Sequence, residues 1–345
     1  MKIRVIISFL AFALVSFFMI SAGKGPGPFK PTYIDLQVPV GWPKPPTDIF
    51  AKNKLTEEGF QLGKKLFYDG RLSKDGNFPC ASCHQQFSAF ANYEHDFSHG
   101  FNNSFTQRNA PPLFNLAWKT SYHWDGGVNH IEVQPLSPLT AQNEMAENLD
   151  SVLKKIKKDT AYIRMFKAAF GSNEINSQRL LKALAQFTGS IVSSNSKYDK
   201  VKRGQASFTI SEENGYKIFK EKCNTCHVEP LFTDNSYRSN GLPLNSLLND
   251  YGRMKITGDK TDSLKFRVPT LRNVGLTYPY FHDGRFMSLG QVVDHYRTGI
   301  VVDQPNLDSS LKKRLPMSNY DKQNLVYFLQ TLTDTLFTHN PRYSE

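Results

Sequence analysis

The pattern Cys-x-x-Cys-His occurs twice in this chain, at residues 80–84 and 223–227, and the two copies contain all 4 cysteines of the 345 residues. Two thiols about one helical turn apart can add to the two vinyl groups of one porphyrin, which holds the following histidine beneath the iron. In a chain of this length and composition, the expected number of chance matches to the pattern is on the order of a thousandth. The chain therefore predicts two covalent c-type haems. Their attachment residues are Cys80, Cys83, His84, Cys223, Cys226 and His227.

Paired cysteines have other uses. A zinc ribbon places its two Cys-x-x-Cys pairs close together, whereas Cys83 and Cys223 are far apart along this chain, and each pair has its own histidine. A thioredoxin-like dithiol needs a neighbouring βαβ pattern, and none is visible. Structural disulfides are the remaining alternative. The repeated histidine favours haem over all three.

The elements around both motifs follow one plan. A predicted N-cap, Thr56 before the first motif and Ser211 before the second, is followed by acids in the first helical turn. Apolar stripes at helical spacing cover residues 149–156 and, after a predicted cap at Ser177, residues 180–191; a last amphipathic helix follows Ser318. We expect an all-α fold of two cytochrome c-like domains with long loops, each domain wrapped around one haem.

The N-terminus is typical of an export signal. Lys2 and Arg4 precede an apolar run over residues 5–20 and small residues at 21–23. We expect a signal peptide at residues 1–22 and a periplasmic location, with an uncleaved membrane anchor as the alternative. The remaining predicted boundaries are an extended arm at 23–46, an N-terminal domain at 47–195 with the peroxidatic haem, and a C-terminal domain at 205–338 with the electron-transfer haem.

The formal net charge of +11 is divided among short basic clusters, at residues 154–158, 200–203 and 312–314. Such clusters are typical of solvated helix faces and loops, and they do not predict nucleic-acid binding. If they have a binding role, the first candidate is docking of an acidic electron-transfer protein.

Four longer motifs follow the haem motifs. They are Arg-Asn-Ala-Pro at 108–111, Trp-Asp-Gly at 124–126, Val-Pro-Thr-Leu-Arg-Asn-Val at 268–274 and Pro-Tyr-Phe-His-Asp-Gly at 279–284. With these, the chain from about residue 55 to 332 resembles the bacterial di-haem cytochrome c peroxidases, a family that includes the MauG-type enzymes. The resemblance implies that the N-terminal haem reacts with peroxide and that the C-terminal haem passes electrons to it.

For the first haem, the family's catalytic carboxylate and amide fall on Glu144 and Gln134. A carboxylate over an open iron face can move the proton that O–O cleavage requires; without the resemblance, Glu144 is a solvated acid near a helix start. Peroxidases that need reductive activation carry a loop histidine, and its position here holds Phe101, with His95 and His99 close by. We expect an open first haem, with His99 as the alternative ligand.

For the second haem, the family's sixth-ligand position holds Tyr296, as in MauG-type enzymes, and a phenolate ligand would favour ferric iron. Four other side chains compete for this role: Met254, Met287, His295 and Met317. The resemblance also places Trp124 between the haems as an electron relay. It implies one Ca²⁺, held by the side chain of Asn109 and the carbonyls of Thr277 and Pro279.

The sequence therefore predicts an exported di-haem cytochrome c peroxidase that reduces hydrogen peroxide with electrons from a small redox protein, either a cytochrome c or a cupredoxin. One alternative is a MauG-like enzyme that oxidises residues of a partner protein. The other is a non-enzymatic di-haem electron carrier, which requires both irons to have six ligands. A homodimer is compatible with each of these, and the sequence does not fix the oligomeric state.

Overall fold

The computed structural model describes residues 29–345, so the predicted signal peptide at 1–22 lies outside the described residues. In the described part, secondary structure is helical apart from two short strands. The helices are α1 (Glu57–Tyr68), α2 (Cys80–Cys83), α3 (Leu136–Thr140), α4 (Leu149–Ile156), α5 (Thr160–Phe170), α6 (Ser177–Ser190), α7 (Lys197–Lys202), α8 (Ile210–Lys222), α9 (Met254–Thr257), α10 (Leu289–Asp294), α11 (Asn319–Gln330) and α12 (Thr335–Thr338). Strands β1 (Tyr237–Arg238) and β2 (Phe266–Arg267) pair antiparallel.

The helix starts agree only in part with the sequence predictions. Thr56 caps α1 as predicted, and its hydroxyl accepts a hydrogen bond from the Gly59 amide at 3.0 Å. The predicted cap at Ser211 is wrong, because α8 begins two residues earlier in a capping box between Thr209 and Glu212. The predicted cap at Ser177 is also wrong by one residue: the Asn176 side chain caps α6.

Two helix pairs have the same close contact. A Cβ on Gly63 of α1 would lie 2.0 Å from the carbonyl oxygen of Ala183 in α6, and a Cβ on Gly215 of α8 would lie 2.0 Å from that of Asn324 in α11. Only glycine allows the backbones to approach this closely. The two helices that lead to the haem motifs are therefore packed in the same way, a similarity that the sequence analysis did not predict.

The hydrophobic core of the described residues has two large clusters and a small third one, formed by Ile300, Leu307 and Leu311, against which Tyr296 packs. The first contains Phe60 and Phe67 of α1 and Phe187 of α6, and Cys80 packs against it. The second contains Phe219 of α8 and Phe328 of α11, and Cys223 packs against it. Each haem motif thus begins at the edge of an aromatic core.

Residues 31–345 form one compact unit, and the predicted division into domains at 47–195 and 205–338 stays a prediction. Within this unit, the predicted arm contacts the rest of the chain at Trp42, whose ring lies 5.1 Å from that of Trp118. None of the helices over residues 29–345 is long and apolar enough to cross a membrane.

Candidate functional site

The first Cys-x-x-Cys-His motif forms the one-turn helix α2, and His84 ends it. Nδ1 of His84 lies 3.0 Å from the carbonyl oxygen of Phe90, a residue held at a positive φ of 57°. This contact fixes the ring and leaves Nε2 free to face a cavity lined by His84, Cys80 and Cys83. Burial lowers the pKa of His84 to about 4, so the imidazole is neutral, as a metal ligand must be.

The second motif has the same construction. Nδ1 of His227 lies 3.2 Å from the carbonyl oxygen of Phe232 and 3.1 Å from that of Pro269. Phe232 has a φ of 55°, which matches Phe90 in the first motif. Burial lowers the pKa of His227 as well. A backbone carbonyl that orients one ring nitrogen leaves the other available to a metal, an arrangement common among histidine ligands.

The cysteines are free in both motifs, and burial raises the pKa of Cys80 and of Cys223 to about 12. No group of three or more His, Cys, Asp or Glu side chains that could hold a metal ion occurs within residues 29–345. Two free thiols, one free imidazole nitrogen and an adjoining cavity in each motif fit a covalent haem.

The first cavity, of about 60 Å³, also contains the two predicted catalytic side chains. Gln134 precedes helix α3 and Glu144 follows it, so this short helix places both on the cavity wall. The carboxyl group of Glu144 forms no ion pair with any residue of the described chain, and burial raises its pKa. The structure thus brings His84, Glu144 and Gln134 together in one cavity.

His99 lines the same cavity, whereas Phe101, at the aligned position of the loop histidine, does not. The His99 ring packs against Phe105 at 4.6 Å and against His95 at 5.4 Å. Phe101 instead lies beneath the ammonium group of Lys74, at 4.8 Å. The described structure therefore places His99 on the wall of the first cavity. The sequence analysis named this residue as the alternative ligand.

The second cavity is larger, about 220 Å³, and two of the predicted sixth ligands line it, Tyr296 and Met317. Met254 and Met287 are not among its lining residues. His295 is also outside the cavity, with its Nε2 atom 3.0 Å from the carbonyl oxygen of Asn240. Of the five candidate sixth ligands, the two that line this cavity are therefore a phenol and a thioether.

Tyr296 lies where α10 ends and continues as a single π-helical turn, His295–Gly299. Such a turn commonly occurs at functional sites because it rotates the following side chains relative to an α-helix. Burial raises the pKa of Tyr296 to about 12. The phenol is therefore protonated in the absence of metal, and it would need a cation as strong as ferric iron to become a phenolate.

Trp124 and all three predicted calcium ligands line the second cavity too. The indole Nε1 of Trp124 donates to the carbonyl oxygen of Asn109 at 2.8 Å. The Asn109 amide nitrogen donates to the carbonyl oxygens of His95 and Asp96, at 3.3 and 3.2 Å, which leaves its side-chain oxygen free. A side-chain amide oxygen and backbone carbonyls are the kinds of ligand that Ca²⁺ takes, and the calcium ion stays a prediction.

Sequence reasoning missed a charged network behind these residues. The guanidinium of Arg108 binds Asp250 through two hydrogen bonds, at 2.6 and 2.9 Å, and Asp125 at 2.5 Å. Arg108 precedes Asn109 and Asp125 follows Trp124, so one ion-pair network fixes both loops. The sequence did contain a signal for this network. In each of the two family motifs a charged residue stands next to a site residue: Arg108 next to Asn109, and Asp125 next to Trp124.

Comparisons with known proteins agree with this geometry. A family model described as di-haem cytochrome c peroxidase matches residues 57–207. The methylamine utilization protein MauG of Methylorubrum extorquens is 35% identical over 286 residues, which cover 81% of this chain and 79% of the relative. Cytochrome c551 peroxidase of Nitrosomonas europaea is 36% identical over 278 residues, with 79% of each protein covered.

A solved structure gives the same result. The crystal structure of a MauG-like protein associated with microbial copper homeostasis superposes with a TM-score of 0.80 at 30% identity, covering 90% of this chain and 99% of that one. The family predicted from the sequence motifs is confirmed. This chain belongs to the di-haem cytochrome c peroxidase family.

Proposed function

We propose that this protein is a peroxidase that reduces hydrogen peroxide to water with electrons from a small redox protein. One observation carries the proposal: the free Nε2 atom of His84 and the unpaired carboxyl of Glu144 face the same cavity. A protein that only carries electrons has no use for a titratable group at that place. Peroxidases named among the relatives support the same activity.

The reaction takes up two electrons and two protons for each peroxide and releases two water molecules. Haem bound at the two motifs would bind the peroxide at one iron and store or transfer the electrons. The polypeptide supplies the proton transfer, in which Glu144 accepts the proton from the inner peroxide oxygen and delivers it to the outer one. Gln134 can donate a hydrogen bond to the same oxygens and hold them in line.

Electrons would enter through the second site. Tyr296 and Met317 line that cavity, and either side chain, together with His227, would hold the iron of a haem bound there and so keep peroxide chemistry at the first site. Trp124 lines the second cavity and lies in the loop tied to Asn109 by a hydrogen bond. We assign it the role of an electron relay towards the first site. The basic clusters are the candidate docking surface for an acidic donor, a cytochrome c or a cupredoxin.

A second candidate function is oxidation of residues on a partner protein. Tyr296 in the cavity of the second motif favours it, as does the 35% identity with a methylamine utilization protein. A phenolate would lower that haem's potential and let the two sites share oxidising equivalents.

Steady-state kinetics with hydrogen peroxide and a reduced small cytochrome c distinguish the two candidate functions. A peroxidase oxidises two cytochromes per peroxide, and its rate falls as salt screens the docking charges. A protein that consumes peroxide slowly and leaves the cytochrome reduced supports the second candidate. A protein whose haem spectrum does not respond to peroxide at all is an electron carrier, and that result refutes both enzymatic functions.

We also propose a periplasmic location and one bound Ca²⁺. The location is supported by the signal-like residues 1–22 and by c-type haem attachment, which takes place outside the reducing cytoplasm. Mass measurement of the mature protein tests it, since cleavage near residue 22 removes the apolar segment and an anchor keeps it. Calcium is tested by metal analysis after dialysis, with Asn109→Ala as the variant that should lose the ion.

A further inference from the structure

Arg267 is a buried cation on the wall of the second cavity. It lies in β2, and only 5% of its surface is exposed. Its guanidinium donates to the carbonyl oxygens of His123 and Asn235 at 3.3 and 3.4 Å, to the Ser121 hydroxyl at 2.8 Å and to the Tyr237 hydroxyl. All four acceptors are neutral. No carboxylate of residues 29–345 forms an ion pair with this guanidinium.

The groups around Arg267 add further positive charge. The guanidiniums of Arg267 and Arg253 both lie over the Tyr237 ring, at 4.8 and 4.0 Å. The ammonium of Lys119 has no hydrogen-bond partner in the described structure, and burial together with the charge of Arg267 lowers the pKa of Lys119 to about 7. The nearest carboxylate, that of Asp125, is already bound to Arg108.

Burying a charge without a counter-ion is costly. The titratable or charged side chains around Arg267 are those of Lys119, Tyr122, His123, Asp125, Tyr237 and Arg253. Asp125 is bound to Arg108, and Arg253 pairs with Asp262 at 3.7 Å. The guanidinium of Arg267 itself therefore has no carboxylate partner within residues 29–345, and an anion that is not part of the polypeptide would balance its charge.

The position of Arg267 in the cavity indicates which anion this is. Thioether bonds hold a haem by its vinyl edge, so the two propionates project from the opposite edge of the porphyrin. The other cations on the cavity wall have carboxylates of their own, since Lys222 pairs with Glu221 at 3.0 Å. Arg238 also has its own acids, Asp234 and Asp308, both at 2.7 Å.

Among these cavity-lining cations, Arg267 is the one that forms no ion pair within residues 29–345. We propose that it forms an ion pair with a propionate of the haem attached to Cys223 and Cys226. The ion pair holds this propionate ionised near neutral pH, and it stabilises the reduced haem by offsetting the propionate's negative charge. The inference rests on the family's two haems and is independent of peroxide turnover.

Redox titration of the haem-loaded protein at several values between about pH 5 and 8 tests the proposal without peroxide. In Arg267→Gln, one of the two haem waves should shift to lower potential at neutral pH and acquire a pH dependence that the wild type lacks. Reduction then draws a proton onto the propionate, so the ratio of reduced to oxidised haem at a fixed potential rises by up to about tenfold per pH unit decrease. The other wave should not change.

Two further variants distinguish a direct ion pair with Arg267 from a general effect of nearby positive charge. Arg267→Lys keeps the charge and should restore most of the wild-type behaviour. Arg253→Gln removes a cation from the other face of the Tyr237 ring, but Arg253 does not line the cavity, so both waves should keep their wild-type pH dependence. A shift of the same size in Arg253→Gln, or none in Arg267→Gln, overturns the proposal.

An experimental structure of the haem-loaded wild type provides a test that needs no variant to fold. It should place a guanidinium nitrogen of Arg267 within hydrogen-bond distance of a propionate oxygen. A structure in which both propionates point away from Arg267, or in which a solvent anion binds it instead, refutes the assignment.

Discussion

Replacing Glu144 with glutamine is the sharpest test of the proposed chemistry. Glutamine has nearly the same shape but cannot accept the peroxide proton, and general acid–base catalysis by a positioned side chain contributes about 10²–10⁴-fold. A loss of that size raises the barrier by about 3–5 kcal/mol. Because the Glu144 carboxyl forms no ion pair in the described structure, the substitution breaks none, and the free energy of unfolding should change by only about 0.5 kcal/mol.

The pH dependence of the reaction rate is a second measurement that tests the same role of Glu144. Burial raises the pKa of Glu144, and only the ionised carboxylate can accept a proton. The wild-type rate should therefore fall with decreasing pH at values above the ordinary glutamate pKa of about 4.3, and the variant should lack this acid limb. A raised pKa also means that the folded state binds the proton more tightly. This contribution to stability is present at low pH and is lost as pH rises through the folded-state pKa.

Stopped-flow mixing with peroxide, followed by haem absorbance, measures the single-turnover rate. Glu147→Gln is the matched control, because this carboxylate lies three residues further on, outside the cavity, and pairs with Lys155 at 2.6 Å. The control should keep the rate and lose about 1 kcal/mol of stability. If Glu144→Gln reacts with peroxide as fast as the wild type, Glu144 is a structural acid and the proposed mechanism is wrong.

Three other predictions concern the second site and the fold. Tyr296→Phe should change the low-spin ferric spectrum and raise the potential of the second haem, and Met317→Leu should not; the opposite result makes the methionine the ligand. Arg272→Met should leave Asp199, its buried partner at 2.9 Å, uncompensated and lower the free energy of unfolding by about 3–5 kcal/mol in urea titration; a loss below 1 kcal/mol would contradict this. The denatured mature protein should retain two haem masses, and haem released by acid acetone would contradict covalent attachment.

The parts of the fold that sequence predicted are those governed by local chemistry. The haem motifs and the Thr56 cap each depend on residues within a few positions of one another. The cap before the second motif was mispredicted although the signal was present, since Thr209 and Glu212 have the spacing of a capping box. Two hydroxyl residues close together made the choice ambiguous, and only the backbone conformation resolves it.

The parts that sequence missed depend on distant contacts. Arg108 pairs with Asp250, 142 residues away, and nothing in the intervening sequence indicates that the two loops meet. The open first haem stays a prediction for a related reason. The aligned position holds Phe101, whereas His99, the alternative ligand, lines the cavity, and a register counted along the chain cannot detect how residues 95–105 turn.

The two sites show why one repeated motif can serve two roles. The proximal side is built locally in both, since each histidine bonds a carbonyl five or six residues further on, from a phenylalanine with positive φ. The other walls of the cavities come from distant segments, with Glu144 and Gln134 in the first cavity and Tyr296, from a π-helical turn, in the second. In the proposed function, proton-transfer groups favour reaction with peroxide, and a phenol ligand would favour electron storage. On that proposal, the duplicated helices set where the haems attach, and the segments between them determine what each haem does.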